Sequence, residues 1–306
     1  MELRHLRYFV AVAEERNFTR AAERLHIAQP PLSRQMQQLE EIVGVPLLVR
    51  GSRPLELTEA GRFFYGHAVQ LLAQGAEVVS MTRRIGKIER KFAIGFVGST
   101  LFGFLPEVVR RFKAAHPTTE VTLQEMTTME QIRGLKEGRI DVGIGRIRHE
   151  DPNIRRILLR EETLCAALPM GHPLSSLDRG LYLRELVKDT LIVFPKSPRP
   201  SYADQVLAAF HDRGLEPLHT LEVKELQVAL GLVAAGMGVS VVPKSVLGLK
   251  RSDVCYKRMD EANLTSPIIM SIRALDKSED IRSMLDLVYG LYRSEGVPHT
   301  QETLDN

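Results

Sequence analysis

Apolar residues in the first 45 positions recur every three or four residues, which is the spacing of helices with one buried face. The inward residues of a first predicted helix are Leu3, Leu6, Phe9, Val10 and Ala13. A second helix follows Asn17, a residue type that caps helices, and turns inward Phe18, Ala21, Ala22 and Leu25. A third helix begins near Gln29 and turns inward Leu32, Met36, Leu39, Ile42 and Val43. Two such helices joined by a tight turn predict a helix-turn-helix.

The first turns of the third helix carry polar side chains away from the apolar face. They are Gln29, Ser33, Arg34 and Gln37, and beside them Pro30 and Pro31 occupy positions where a missing N–H costs little. Gln and Arg have the geometry to read adenine and guanine edges. A solvated polar face would show the same residues, but the preceding helix and turn favour contact with DNA.

A short hairpin is predicted after the third helix. Residues 47–49 and 54–57 have strand character, and the turn between them contains Arg50, Gly51 and Arg53. We interpret this hairpin as a wing whose arginines enter a minor groove or grip phosphate. The alternative is two exposed arginines without a nucleic-acid role.

A long helix then runs from Thr58 toward Arg84, with no stop signal before Gly86. Its apolar positions exceed what a small domain could cover, so we predict that it pairs with a second copy, although packing onto its own domain remains an alternative. Residues 83–90 read as a polar hinge. The predicted boundaries are 1–58 for a winged helix-turn-helix domain and 59–90 for a linker helix with its hinge.

Beyond residue 90, apolar strands alternate with helices. Strands are predicted at 92–97, 121–125 and 140–145, and helices at 105–115 and 129–137, which indicates a parallel sheet with right-handed crossovers. Ser99, Thr128 and Arg146 each follow the end of such a strand, where ligands of these sheets bind. Together with Thr100 they suggest a carboxylate site at helix N-termini. Simple helix capping, or a structural ion pair for Arg146, would explain the same residues.

A second subdomain is predicted to begin near Glu162. Strands at 164–168, 191–194, 219–223 and 239–242 surround helices at 203–213 and 226–236, and a strand at 267–273 with a helix at 280–292 closes the chain. Ser201 and Tyr202 open one of these helices and are placed on the far wall of a cleft. We predict an α/β sensor domain over 91–306 with two lobes, lobe I at 91–161 plus 267–306 and lobe II at 162–266, as in periplasmic binding proteins.

Composition narrows the class of protein. The 306 residues carry a net charge of +3, all of it in residues 1–90, where 12 of 13 basic residues are Arg. No run of about 18 apolar residues occurs and the start lacks the pattern of a signal peptide, so we expect a cytoplasmic protein without a membrane span. Cys165 and Cys255 match no metal or redox spacing. We predict neither cofactor nor metal.

Residues 1–62 resemble the winged helix-turn-helix of the LysR-type transcriptional regulators. The motifs that carry the resemblance are LRHLRYF at 3–9, NFTRAA at 17–22, QPPLSR at 29–34 and LTEAG at 57–61. Within that family, the motifs GFVGS at 95–99, LKEGRID at 135–141, FPKSPRP at 194–200 and LGLVAAG at 230–236 resemble the regulators of aromatic-acid catabolism, which respond to muconate or benzoate.

The resemblance implies a transcription regulator, either an activator or a repressor, that assembles as a dimer or tetramer and binds double-stranded DNA with dyad-related half-sites. RNA polymerase would be a further partner. It also implies an effector site, whose matching positions are Ser99, Thr100, Thr128, Arg146, Ser201 and Tyr202. Tyr202 stands where close relatives have Phe, and Thr100 where some have an apolar residue, so we expect an effector more polar than muconate. Arg160 matches a second, interior acid site, for which the sequence shows no aromatic companion.

Two other classes fit part of the chain. The two-lobed half alone would suit a solute-binding protein for a dicarboxylate, but the absent signal peptide and the helix-turn-helix argue against it. An enzyme acting on such a ligand would need a base or nucleophile with an orienting partner. The predicted cleft offers Ser, Thr and Arg, without a His, Cys or paired-carboxylate constellation, so we expect no catalysis.

Overall fold

The computed structural model describes residues 1–49, 51–52, 54–85 and 91–304. The chain divides into two compact units, formed mainly by residues 1–89 and by residues 90–306. Arg50, Arg53 and the hinge residues 86–90 lie outside the described residues. Among the helices that are described, none combines the length and the apolar character of a membrane span.

The described residues of the first unit form the helices α1 (Leu3–Glu15), α2 (Phe18–Arg24), α3 (Gln29–Val43) and α4 (Glu59–Ile85). The side chain of Asn17 accepts hydrogen bonds from the amides of Thr19 and Arg20 at 2.8 and 3.2 Å, which begins α2 as predicted. Gly44 ends α3 with a φ of 82°, a conformation that favours glycine. The helix-turn-helix predicted from hydrophobic spacing is therefore present.

A single core holds these helices together. Its fully buried side chains include Leu6, Phe9, Val12, Ala21, Leu32, Met36 and Leu39. Two residues predicted to face inward do not: Leu3 is 52% exposed and Ile42 is 47% exposed. Both lie at the ends of their helices, where the apolar face extends past the neighbouring helix that covers it.

The hairpin after α3 is less regular than predicted. Among its described residues the ladder consists of one bridge between Leu48 and Leu57, with hydrogen bonds from the Val49 amide to the Glu56 carbonyl oxygen and from the Thr58 amide to the Leu47 carbonyl oxygen. The carboxylate of Glu40 instead accepts the amides of Leu47 and Leu48 at 2.7 and 3.0 Å. Because a side chain on α3 takes these donors, residues 47–49 do not form the strand predicted to pair with residues 54–57.

The second unit is built on a sheet of order β2-β1-β3-β9-β4-β7, with β8 also paired to β4. The strands are β1 (Lys91–Phe96), β2 (Glu120–Glu125), β3 (Val142–Gly145), β4 (Ile154–Pro169), β5 (Thr190–Val193), β6 (His219–Glu222), β7 (Ser240–Pro243), β8 (Val254–Arg258) and β9 (Thr265–Arg273). Strands β1, β2 and β3 are parallel, as predicted, but β9 and β4 join them antiparallel. Strands β5 and β6 form a separate parallel pair.

Six helices cover these strands: α5 (Leu105–Ala115), α6 (Thr128–Lys136), α7 (Leu183–Leu186), α8 (Tyr202–His211), α9 (Leu226–Ala234) and α10 (Glu279–Ser294), with 3₁₀ helices at Gly98–Phe102, Pro173–Ser176 and Lys244–Leu249. Buried side chains gather into two large cores. The first, core I, draws on residues between 92 and 159 and between 268 and 304, and the second, core II, on residues between 164 and 264. Strand β4 runs from core I into core II, whereas β9 contributes buried apolar side chains to core I.

Candidate functional site

The exposed start of α3 presents the residues predicted to contact DNA. Gln29, Pro30, Pro31, Arg34 and Gln37 are exposed, and Ser33 is half-buried. The amide group of Gln29 donates to the hydroxyl of Ser33 at 2.8 Å, so these two side chains are already oriented on one face. On the same helix, Leu32, Met36 and Leu39 are buried in the core. The helix is therefore anchored by one face and offers the opposite face to a partner.

A cleft of about 280 Å³ lies between side chains of the two cores in the second unit. Residues before β4 that line it include Ser99, Thr128 and Arg146, and residues after β4 include Pro195, Ser201 and Tyr202. Of the predicted effector residues, only Thr100 is absent from this lining; its hydroxyl donates to the Val97 carbonyl oxygen at 2.8 Å. Five of the six residues singled out by sequence thus meet around one cavity.

Three helices begin at this cleft. Thr128 is the first residue of α6, Tyr202 the first of α8 and Leu226 the first of α9, and all three line the cavity. Free N–H groups and the partial positive charge at helix N-termini stabilise bound anions. The hydroxyl of Thr128 is buried and has no hydrogen-bond partner among the described residues, which leaves it available to a ligand. A polar group as buried as this hydroxyl lowers the stability of the folded protein when nothing bonds to it.

Arg146 lies at the floor of the cleft and is only 2% exposed. Its Nη2 pairs with Glu162 Oε2 at 2.6 Å, and its Nε donates to the Ser99 hydroxyl oxygen at 2.8 Å. The structural ion pair considered from the sequence is therefore present. Among the described residues, Arg146 Nη1 has no acceptor, and no bond uses the hydroxyl proton of Ser99. Both groups can donate to a carboxylate that enters the cleft.

A second guanidinium shares the carboxylate of Glu162. Arg160 Nη2 lies 3.3 Å from Glu162 Oε1, so among the described residues two cations, the buried Arg146 and the mostly buried Arg160, face one buried anion. Burial alone would raise the pKa of Glu162, but Arg146 and Arg160 outweigh it and the pKa is lowered. This cluster of three side chains carries a net charge of about +1, and of its members Arg146 lines the cleft, where a ligand carboxylate would balance that charge.

The mouth of the cleft is charged differently. Glu125, Glu130 and Glu225 line it together with Lys224. Glu130 is engaged, since its carboxylate accepts the amide and hydroxyl of Thr127 at 2.8 Å each and so caps α6. None of these mouth residues was identified from the sequence, because nothing in their local pattern shows that three separate segments meet there.

The hydroxyls of Ser201 and Tyr202 do not point into the cleft as donors. Ser201 donates to the Pro195 carbonyl oxygen at 2.9 Å, and Tyr202 donates to the Val241 carbonyl oxygen at 3.2 Å. Burial raises the pKa of Tyr202 well above its ordinary value, so the phenol stays neutral. With Thr100 also bonded internally, neither added hydroxyl gives a reason to expect a more polar effector. The ring of Tyr202, 5.3 Å from that of Phe194, supplies an apolar wall instead.

Arg160 has aromatic companions that sequence reasoning missed. Its guanidinium lies 5.5 Å from the ring centre of Phe104 and 5.7 Å from that of Tyr292. These residues are 56 and 132 positions away in the chain, so no local motif could reveal them. The interior cavity that Phe104 and Tyr292 line has a volume of only about 30 Å³, room for a water molecule and not for an aromatic acid.

Comparison with known proteins identifies the family. Residues 3–62 match the model described as "Bacterial regulatory helix-turn-helix protein, lysR family", and residues 86–290 match the model "LysR substrate binding domain". The chain belongs to the LysR family of transcription regulators. This LysR-type regulator is 47% identical over 297 residues to the regulator BenM of Acinetobacter baylyi, covering 97% of this chain and 98% of BenM. It is 49% identical over 289 residues to CatR of Pseudomonas putida, covering 94% and 98% of the two chains.

Solved structures of other LysR-type regulators share the fold. Full-length BenM matches with a TM-score of 0.67 at 46% identity, over 99% of this chain and 100% of that one. The effector-binding domain of BenM with its effector benzoate matches with a TM-score of 0.67 at 39% identity, over 71% and 98%. Full-length CbnR complexed with its target DNA matches with a TM-score of 0.61 at 33% identity, over 95% and 99%.

Proposed function

We propose that this LysR-type regulator responds to a small aromatic or unsaturated carboxylate, such as benzoate or cis,cis-muconate, and controls genes of aromatic-compound catabolism. The observation that carries the proposal is the charge cluster behind the cleft, where Arg146, which lines the cleft, and Arg160 share the single carboxylate of Glu162. One ligand carboxylate would neutralise that charge and accept hydrogen bonds from Ser99 and Thr128. The ring of Tyr202 supplies the wall for the apolar body of the ligand. The benzoate bound by the effector domain of BenM has this chemistry.

In this proposal α3 reads DNA through Gln29, Ser33, Arg34 and Gln37, with Pro30 and Pro31 beside them and with Arg50 and Arg53 of the hairpin. This role is supported by the similarity of the chain to full-length CbnR, whose structure was solved in complex with its target DNA. The proposed domains are 1–58, 59–90 and 91–306, with lobe I at 91–161 plus 267–306 and lobe II at 162–266. Helix α4 would pair two copies, because Phe63, Val78 and Val79 are 71%, 63% and 51% exposed on it. We place this non-catalytic regulator in the cytoplasm, where its DNA is.

Thermal shift and calorimetry with the full chain test the effector. Benzoate and cis,cis-muconate should raise the melting temperature, and benzamide, which has the shape of benzoate without its charge, should not. Stabilisation grows with ligand concentration over the dissociation constant, so a titration gives the affinity. Equal shifts with benzoate and benzamide, or no shift with either carboxylate, would contradict the proposed site.

Thr128→Val removes the buried, unpartnered hydroxyl at nearly constant shape. If that hydroxyl donates to the ligand, the variant should bind carboxylates about ten times more weakly, as expected for a lost hydrogen bond to a charged group. The matched control is Thr220→Val, the same change at an exposed position of β6 that does not line the cleft. Wild-type affinity in the Thr128 variant would remove this residue from the site.

A further inference from the structure

Two 3₁₀ helices from different cores meet beside the cleft. In the helix Gly98–Phe102, Leu101 packs against core I and Phe102 against core II, and the helix Lys244–Leu249 is anchored in core II by the fully buried Val246. A Cβ atom on Gly248 would lie 2.7 Å from the carbonyl oxygen of Phe102, closer than real Cβ contacts. No side chain fits there without separating the two backbones. Glycine at 248 is therefore required by the close approach of the two helices.

Ser245, at the start of the second of these helices, contacts the charged floor of the cleft. Its amide donates to Glu162 Oε1 at 2.8 Å, and its hydroxyl lies 3.4 Å from both Arg146 Nη2 and the Ser99 carbonyl oxygen. The other oxygen of Glu162 pairs with Arg146, which in turn holds the hydroxyl of Ser99. The orientation of the carboxylate, and through it that of Arg146 and Ser99, thus depends on where residue 245 sits.

We propose that Ser245 and Gly248 are positioning residues of the effector site. Neither lines the cleft, so neither would touch the effector. They act through Glu162 and Arg146, and they make the geometry of the carboxylate donors in lobe I depend on the position of a lobe II helix. The inference rests on the proposed function, because it concerns the same carboxylate ligand. It extends it by identifying the contact that couples the second lobe to the ligand's charged end.

The variant Gly248→Ala tests this coupling by forcing the two helices apart. Loss of the bond between the Ser245 amide and Glu162 should weaken benzoate and muconate binding about tenfold or more, measured by calorimetry on the full chain. The control is Gly231→Ala, a glycine on α9 whose added Cβ meets nothing within 4 Å, and it should bind as wild type does. A purely structural role would lower the melting temperature of Gly248→Ala and leave its affinity well below that temperature unchanged.

A milder pair of variants serves if Gly248→Ala does not fold. Ser245→Ala keeps the amide and removes the hydroxyl, so carboxylate binding should weaken by about threefold, whereas Ser245→Thr restores a hydroxyl and should restore the affinity. Wild-type protein that binds neither carboxylate would overturn the proposed function and this inference with it. Wild-type affinity in folded Gly248→Ala, or in Ser245→Ala if the former is unfolded, would overturn the inference alone.

Discussion

Replacing Glu162 by Gln would remove the negative charge that compensates Arg146 and Arg160 and should lower the free energy of unfolding. The carboxylate is 3% exposed and holds three donors, Arg146 at 2.6 Å, the Ser245 amide at 2.8 Å and Arg160 at 3.3 Å. Without it, two buried guanidinium groups would face each other with no compensating charge. Removing one partner of a buried ion pair costs about 3–5 kcal/mol. We expect Glu162→Gln to lower the free energy of unfolding by that amount near neutral pH.

The stability difference between wild type and Glu162→Gln should also depend on pH, which gives a second, independent test. Because the pKa of Glu162 is lowered in the folded protein, its stabilising contribution is complete above the unfolded pKa of about 4.5 and is lost as the pH falls through the folded value. The difference in stability between wild type and Glu162→Gln should therefore be constant above about pH 5.5 and shrink in acid. Urea unfolding followed by circular dichroism at several pH values measures both quantities.

The neighbouring residue supplies the control. Glu161 pairs with Arg148, and these side chains are 35% and 63% exposed, so Glu161→Gln should cost at most about 1 kcal/mol. If Glu162→Gln were as stable as Glu161→Gln, or if its deficit persisted unchanged in acid, the two arginines would not depend on this carboxylate. Glu162 would then not be the anion that compensates Arg146 and Arg160.

Three further predictions concern other parts of the chain. Arg34→Ala should weaken operator binding by about 1–3 kcal/mol and relax preference at one base pair; a uniform loss over all sequences in a binding titration would indicate a phosphate contact instead. Gly61→Ala should destabilise the first unit by about 1–3 kcal/mol, because its Cβ would lie 2.0 Å from a hairpin carbonyl oxygen, whereas Gly66→Ala, with open space around it, should not lower the melting temperature. Cys165, whose pKa burial raises to about 12, should resist a thiol reagent in the folded protein, so that only Cys255 reacts until urea is added.

Hydrophobic spacing predicted the helices of the first unit well because each needs only one covered face. Leu3 and Ile42 fit the periodic pattern and are nonetheless about half exposed. Periodicity defines the direction of an apolar face, while its coverage depends on the length of the neighbouring helix. The exposed residues of α4 follow the same logic, since a pattern cannot show whether a second copy covers them.

Strand β4 shows why other elements were missed. Only residues 164–168 were predicted, yet the strand begins at Ile154. Two groups of charged residues, Arg155-Arg156 and Arg160-Glu161-Glu162, interrupt the apolar run, and charged residues argue against a buried strand. The structure satisfies them with distant partners: Arg155 Nη1 donates to the Leu304 carbonyl oxygen at 3.0 Å, and Arg160 lies over two aromatic rings. Such compensation is invisible until the chain is folded.

The candidate effector site was predictable in part for a physical reason. Residues that follow strands of a parallel sheet meet at one edge, so Ser99, Thr128 and Arg146 could be grouped without a structure. The hydrogen-bond and ion-pair partners of these side chains could not be predicted from the sequence. Glu162 turns Arg146 from a freely exposed cation into one member of a charged cluster, and internal acceptors take the hydroxyl protons of Thr100 and Tyr202.

A cluster with one uncompensated positive charge is a poor way to gain stability, since burying charge is costly unless it is paired. The same uncompensated charge favours the binding of an anionic ligand. A carboxylate entering the cleft would supply the missing negative charge where Ser99, Arg146 and Glu162 meet, and that cluster is also held by Ser245 from the other core. Binding would then favour whichever arrangement of the 3₁₀ helices Gly98–Phe102 and Lys244–Leu249 best completes the cluster. A ligand shifts a conformational equilibrium only through such differential contacts, and here they coincide with the point where these two helices meet.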